Sequence, residues 1–133
     1  MKKLHSHSDG FTVIELLVFI LVLLTVGVLG LSNIRTVRSQ NRDSSSKTDV
    51  NAMFYQLESF YEKNGYYPST IDATQLKGID PESLKDNNKL GVNQAGGTYT
   101  YKPLGCADGK CKSFELSTTL EKEAPFIKQS LNK

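Results

Sequence analysis

The pattern of apolar and polar positions divides the chain into an apolar run, an amphipathic stretch and a mixed C-terminal half. From Phe11 to Leu31 apolar residues occupy every face of a helix, and Glu15 is the only charged residue. A helix that is apolar all round belongs in a membrane or a buried bundle. At about 1.5 Å per residue this run reaches about 30 Å, the thickness of a bilayer core. We therefore predict a transmembrane helix over residues 11–31.

Beyond Leu31 the pattern becomes that of a helix with one apolar side. The apolar positions recur at helical spacing, and they are Val50, Phe54, Leu57 and Tyr61, flanked by Met53 and Phe60. The polar residues of this stretch are expected mostly on other faces, and they are Asp49, Gln56, Glu58, Glu62 and Lys63. Asn64-Gly65 is a helix stop, and Ser44–Ser46 is a weak point where the helix can kink or fray. We predict an amphipathic helix over residues 32–64, nearly continuous with the apolar run.

Residues 65–133 are expected to form a small head. Alternation in Thr98–Lys102 and Lys112–Thr118 predicts two antiparallel strands joined at Asp108-Gly109, with Phe114 and Leu116 against the helix. The remaining expected elements are a helical turn at Asp72–Lys77, a short helix capped by Asp80, a loop over Asp86–Gly97 and an edge strand at Pro125–Ile127. The predicted fold class is α+β, a long N-terminal helix packed on a small antiparallel β-hairpin or sheet.

Composition narrows the possible functions. The 133 residues carry a formal charge of only +2, and no Lys/Arg cluster is long enough to follow nucleic-acid phosphates. The only histidines, His5 and His7, could be a metal-binding pair but are better explained as polar residues of a leader. We find no glycine-rich phosphate loop and no catalytic constellation, so we expect no enzyme activity, no catalytic residue and no cofactor. Asp86, Asn87 and Asn88 could offer oxygens to calcium, but their spacing fits no calcium motif, and no metal site is predicted.

Cys106 and Cys111 are the only cysteines and flank one turn. A disulfide between them would close a short loop, worth about 2 kcal/mol in the chain-entropy model, and would suit an oxidising compartment and a small core. A metal site would need more than two ligands. A redox pair usually has two intervening residues, whereas this pair has four. We favour the disulfide.

The first ten residues form a leader with Lys2 and Lys3 as its positive region, which the positive-inside rule keeps in the cytoplasm. An ordinary secretory signal would be cleaved after the apolar run, and Val28-Leu29-Gly30 offers only a poor site. Cleavage between Gly10 and Phe11 is the alternative. It would free an amine at Phe11, one helical turn from Glu15. That pairing would offset part of the cost of an intramembrane carboxylate, which is about 2.5–3.5 kcal/mol on insertion scales.

The basic leader, the sequence Gly10-Phe11-Thr12-Val13-Ile14-Glu15 and the apolar run together resemble the N-termini of type IV pilins and of the pseudopilins of type II secretion. Asn64-Gly65-Tyr66-Tyr67-Pro68 is a second, weaker resemblance. The resemblance implies that a prepilin peptidase and methylase cuts after Gly10 and N-methylates Phe11. It also implies that Glu15 neutralises the N-terminal amine of the adjacent subunit during assembly. Many pilins carry a proline near Gly27 and Gly30, where this chain has none.

The expected function is that of a structural subunit of a type IV pilus-like filament. Its partners would be copies of itself and related pilins, the peptidase, an inner-membrane assembly platform and, before assembly, membrane lipid. The alternatives are a pseudopilin of a type II secretion or DNA-uptake system and a monomeric membrane-anchored binding domain. The expected location is a single-pass membrane protein with its head outside the cytoplasm, and a cell-surface or periplasmic filament after assembly. The predicted division is a leader over residues 1–10, a transmembrane helix over 11–31, an amphipathic helix over 32–64 and a head over 65–133.

Overall fold

A computed structural model describes residues 11–132, with the backbone only for residues 30–33. The chain forms one long helix followed by short strands, which confirms the predicted α+β class. The elements in order are α1 (Val13–Asn64), β1 (Tyr67–Pro68), a 3-10 helix (Pro81–Leu84), β2 (Tyr99–Leu104), β3 (Lys110–Cys111), β4 (Ser113–Thr118) and β5 (Phe126–Gln129). The chain divides into two units, one ending at Val37 and one beginning at Arg38.

In the first unit, α1 is an apolar helix whose described side chains are all exposed. Helical backbone continues through Gly27 and Gly30, although glycine costs up to about 1 kcal/mol in a helix interior. A Cβ added at Gly27 would meet nothing within 4 Å among the described atoms. The described part of the first unit therefore has no buried side chain, as expected for a helix that requires lipid or other helices around it.

In the second unit, α1 packs one face against the head. The predicted apolar positions form this face, and its fully buried members are Val50, Met53 and Leu57. The predicted fraying at Ser44–Ser46 is wrong, because α1 is helical throughout this segment. Ser46 is buried and its hydroxyl accepts a hydrogen bond from the Asn87 side chain at 3.1 Å. Contacts with distant residues therefore outweigh the low helix propensity of the serines.

Helix α1 stops at the predicted Asn64-Gly65 pair. Gly65 adopts a φ of 76°, a left-handed conformation that glycine reaches without strain. Its backbone N–H donates to the Tyr61 carbonyl at 2.7 Å, and the Asn64 side-chain amide donates to the Phe60 carbonyl at 2.8 Å. The first of these bonds satisfies a carbonyl that the end of a helix otherwise leaves unpaired.

The main sheet has three antiparallel strands in the order β2-β4-β5, with Tyr101 opposite Leu116 and Leu116 opposite Lys128. Strands β2 and β4 match the two predicted strands closely, and β5 confirms the edge strand expected after Pro125. Phe114 lies at the centre of the core, with its ring 4.8 Å from the Tyr67 ring and 6.1 Å from the Phe54 ring. The predicted contact of Phe114 and Leu116 with α1 is confirmed, since both belong to the cluster that contains Val50 and Leu57.

The Asp108-Gly109 turn occurs where it was predicted, but it closes a smaller hairpin than expected. Both residues have positive φ, 50° and 76°, as a type I′ two-residue turn requires. The returning strand β3 pairs with β1, so that Cys111 lies opposite Tyr67. The segment between β2 and β4 is therefore attached to the end of α1 through β1.

The segment between β1 and β2 contains the predicted helical turn, the short helix capped by Asp80, and the predicted loop. Leu76 N–H donates to the Asp72 carbonyl at 3.1 Å in the expected helical turn. The Asp80 carboxylate accepts from the Glu82 N–H at the start of the 3-10 helix. In the 86–97 loop, Asp86 is buried and its carboxylate accepts from three backbone N–H groups and one hydroxyl, provided by Asn88, Leu90 and Thr98. Asp86 therefore holds this loop in shape.

Candidate functional site at the start of the apolar helix

Helix α1 begins with reciprocal hydrogen bonds between Thr12 and Glu15. The Glu15 N–H donates to Thr12 Oγ1 at 3.3 Å, while Thr12 N–H and Oγ1 donate to Glu15 Oε2 at 3.0 and 2.9 Å. This arrangement is a capping box, in which the two ends of a Thr-x-x-Glu segment satisfy each other's backbone N–H groups. The cap directs the Glu15 carboxylate back toward Phe11, the residue that precedes Thr12.

The carboxylate belongs to an otherwise apolar face. Glu15 lines a shallow groove of 330 Å³ along one side of the helix together with Phe11, Ile14, Val18, Phe19 and Val22. About half or more of each of these apolar side chains is exposed. The face thus presents one acid surrounded by apolar side chains.

The two oxygens of the Glu15 carboxylate differ in their surroundings. Both hydrogen bonds from Thr12 end on Oε2, whereas Oε1 accepts none from the residues that the structure describes. No cationic group within residues 11–132 forms an ion pair with Glu15. Oε1 can therefore accept a hydrogen bond from a cation that another chain, or a newly formed N-terminus, would supply.

Of the predicted processing residues, Gly10 lies outside the described residues. Phe11 and Glu15 lie on one face, as their spacing predicts. The role of Thr12 was missed by the sequence reasoning, although a Thr-x-x-Glu segment directly before an apolar run is the signal of a capping box.

The predicted disulfide between Cys106 and Cys111 is present in the second unit. It closes the loop around the Asp108-Gly109 turn, and the Ala107 and Lys110 backbones exchange two hydrogen bonds at 2.9 Å inside it. Cys111 is buried in the core. The bond therefore fastens an exposed turn to a core position.

A second carboxylate departs from the prediction. Glu58 was expected on an outer face of α1, but it is buried. Its Oε2 accepts from the Tyr67 hydroxyl at 2.8 Å and its Oε1 accepts from the Leu131 N–H at 3.1 Å. Burial raises the pKa of Tyr67, with the neighbouring Glu58 adding to that effect, so the hydroxyl keeps its proton and acts as the donor. Glu58 thus attaches the C-terminal segment to α1.

The possible calcium ligands at 86–88 are used differently in the structure. Burial raises the pKa of Asp86, but the hydrogen bonds from the Leu90, Thr98 and Asn88 N–H groups outweigh it and hold the pKa below its usual range. Within residues 11–132, no group of three or more His, Cys, Asp or Glu side chains is arranged to hold a metal ion. The Asp86 carboxylate is accounted for by its hydrogen bonds within the loop.

The fold and the site define a class of protein that has a long, apolar N-terminal helix and a small α+β head. Helix α1 is the one described helix long and apolar enough to cross a membrane, and its apolar window has no buried residue. The apolar segment of a signal sequence near an N-terminus meets the same criterion. Comparisons with protein-family models, curated proteins and solved structures found no match for this chain.

Proposed function

We propose that this chain is a structural subunit of a type IV pilus-like filament, assembled through its apolar helix after cleavage between Gly10 and Phe11. One observation supports this most directly. The Glu15 carboxylate is directed by Thr12 toward Phe11, on an exposed apolar face, with Oε1 unoccupied within the described chain.

The energetics explain why such a carboxylate needs a partner. A carboxylate in the bilayer costs about 2.5–3.5 kcal/mol on insertion scales. The Thr12 cap provides hydrogen bonds but leaves the negative charge in place. Cleavage before Phe11 would create a positive amine on the residue adjacent to the cap. A pair of opposite charges in an apolar setting offsets much of the cost of moving both from water.

Assembly would bring the apolar faces of several helices together. Glu15 of one chain would pair with the Phe11 amine of its neighbour, and this pairing would set the axial register of the subunits. The partners would be copies of this chain and related pilins, a prepilin peptidase and methylase, and a membrane assembly platform. The head would lie outside the cytoplasm. Lys2 and Lys3 support this orientation through the positive-inside rule, and the disulfide supports an oxidising compartment.

Two alternatives differ from this proposal in distinct ways. A secretion pseudopilin or DNA-uptake subunit would share the same N-terminal site and differ in the machinery it joins. A monomeric membrane-anchored binding domain is favoured instead by a groove at the end of α1, lined in part by Lys63 and Lys77. That protein would keep its leader, and Glu15 would have no role in assembly.

The test separates the charge of Glu15 from its capping role. Glu15→Gln keeps an oxygen for the Thr12 cap but removes the charge, whereas Thr12→Val removes the two hydrogen bonds of the Thr12 hydroxyl and keeps both the Thr12 N–H bond and the charge. Both proteins would be expressed in place of the wild type in cells that have a prepilin peptidase, and sheared filaments would be quantified by immunoblot. Removing one member of a buried ion pair costs about 3–5 kcal/mol, so Glu15→Gln should reduce filaments by about 100-fold or more.

The matched Thr12→Val variant should lose only about one cap, roughly 1 kcal/mol, and retain filaments within about tenfold of wild type. Membrane fractions should contain both variants at wild-type levels. Wild-type filament yield from Glu15→Gln would refute the proposed register. Equal losses in the two variants would show that Glu15 acts as a helix cap instead.

A further inference from the structure

A groove at the C-terminal end of α1 has the features of a binding site. This helix-end groove lies between the last turns of α1 and the segment Gln75–Gly78, and its volume is 460 Å³. Volumes of this size are typical of small-molecule sites, which range from about 300 to 1,000 Å³. All the residues that line the groove belong to the second unit, and none belongs to the apolar segment of α1.

Both ionisable groups that line the groove are cationic. Lys63 and Lys77 are exposed and form no hydrogen bond or ion pair with the described residues. Lys85 and Lys89, by contrast, both pair with Glu82. The C-terminal end of a helix carries about half a negative charge, so the two positive charges of the lysines exceed it. The groove should therefore favour an anionic ligand.

The other polar side chains that line the groove can both donate and accept hydrogen bonds. The side chains of Gln56, Ser59 and Gln75 make no hydrogen bond with the described residues, so their amide and hydroxyl groups can donate or accept. Asn64 uses its amide nitrogen on the Phe60 carbonyl and keeps its oxygen available. The groove thus combines several uncommitted amide and hydroxyl groups with two ammonium groups.

A single aromatic ring completes the lining. Phe60 is half-buried, and its ring meets the Tyr66 ring edge to face at 5.6 Å, which holds it in place. Leu76, the other large apolar residue, is itself buried in the core. Phe60 therefore supplies an aromatic surface to the groove. A flat ring beside several polar groups suits a sugar, which presents C–H groups on one face and hydroxyls around its edge.

We propose that the helix-end groove binds an acidic saccharide, with Lys63 and Lys77 on its carboxylate or sulfate groups. Phe60 contacts the face of a sugar ring, and the amides of Gln56 and Gln75 bond its hydroxyls. The volume accommodates about one or two sugar rings. This binding does not rest on the proposed function, because the groove is lined by residues of the second unit alone.

Gly78 provides a way to alter the groove without changing its charge. A Cβ at Gly78 would lie 2.7 Å from both Nε2 and Oε1 of Gln56. Because these atoms end a flexible side chain, Gly78→Ala should displace the Gln56 amide rather than the backbone. The variant should keep the fold and weaken binding.

The experiment uses the full chain in nanodiscs of uncharged lipid and isothermal titration calorimetry at low salt. The probes are trigalacturonate, which carries carboxylates, and a heparin tetrasaccharide, which also carries sulfates. We expect saturable binding of at least one probe. The double variant Lys63→Gln/Lys77→Gln should weaken it by about tenfold or more. The matched control Lys102→Gln/Lys112→Gln removes the same charge from the hairpin and should stay within about twofold.

Absence of binding by both probes would overturn the proposal. Equal weakening in the two double variants would also overturn it, because binding would then follow net charge alone. Binding of hexaglutamate as tight as that of the saccharides would assign the groove to an acidic peptide instead. Weaker binding by Gly78→Ala, with unchanged thermal unfolding, would support the placement of the sugar beside Gln56.

Discussion

Glu58 is expected to contribute strongly to the stability of the head, because its buried carboxylate bonds two other segments of the chain. The perturbation is Glu58→Ala, which removes the acceptor for the Tyr67 hydroxyl and for the Leu131 N–H. The matched control is Glu62→Ala, one helical turn later, where the carboxylate is exposed and makes no hydrogen bond with the described residues.

The expected loss of stability follows from the two hydrogen bonds that Glu58→Ala removes. A hydrogen bond to a charged group contributes about 1.5–3 kcal/mol, and a buried donor left unpaired costs its full desolvation penalty. Tyr67 is fully buried, so its hydroxyl cannot turn to water, whereas Leu131 is 74% exposed and its N–H can. We therefore expect Glu58→Ala to lower the free energy of unfolding by about 3–4 kcal/mol. Glu58→Gln retains one acceptor oxygen and should lose about half as much.

The assay is denaturant unfolding of the full chain in detergent, followed by near-ultraviolet circular dichroism. The chain has no tryptophan, so the signal comes largely from tyrosines. Tyr67, Tyr99 and Tyr101 are buried in the head, so this signal reports the head rather than the apolar helix. Glu62→Ala should change stability by less than about 0.5 kcal/mol. If Glu58→Ala is no less stable than Glu62→Ala, Glu58 does not hold the C-terminal segment.

Three further predictions concern the head. The pKa of Asp86 is held below its unfolded value of about 3.9, so the stabilising effect of the carboxylate is complete above that pH and is lost as the pH falls below it. The difference in melting temperature between wild type and Asp86→Asn should therefore shrink as the pH is lowered from 6 to 3. A difference that stays constant over this range would contradict the prediction. Replacing both cysteines with serine should cost about 2 kcal/mol in chemical unfolding, and an unchanged midpoint in reductant-free buffer would argue against a stabilising role. Phe114→Ala should lower the free energy of unfolding by about 3–5 kcal/mol, because it leaves a cavity at the centre of the core. Calorimetry can measure this loss. A loss below about 1 kcal/mol would show that the core collapses around the cavity.

Features with a local cause were predictable from the sequence. The end of α1 was predicted at the correct residue, since Asn64-Gly65 acts through backbone conformation at that point. The strand alternation around Phe114 and the Asp108-Gly109 turn depend equally on neighbouring residues. The Thr12–Glu15 cap was equally local and could have been predicted from its spacing.

Features that depend on distant segments could not be predicted from the local sequence. Glu58 is buried because residues near Leu131 return to α1, a contact 73 positions away in the sequence. Ser46 stays helical because Asn87, 41 positions away, bonds to its hydroxyl. The pairing of β3 with β1 arises similarly, since each strand has only two residues and too little pattern to be detected alone.

The most direct test of the central claim is the intact mass of the protein extracted from membranes of cells that contain a prepilin peptidase. The proposal predicts a chain that begins at Phe11 and carries one methyl group on its N-terminal amine, with the mass of residues 1–10 missing. A chain that still begins at Met1 would contradict it, because without the Phe11 amine Glu15 would have no partner for assembly. Fragmentation of the N-terminal peptide would locate both the cleavage and the methyl group.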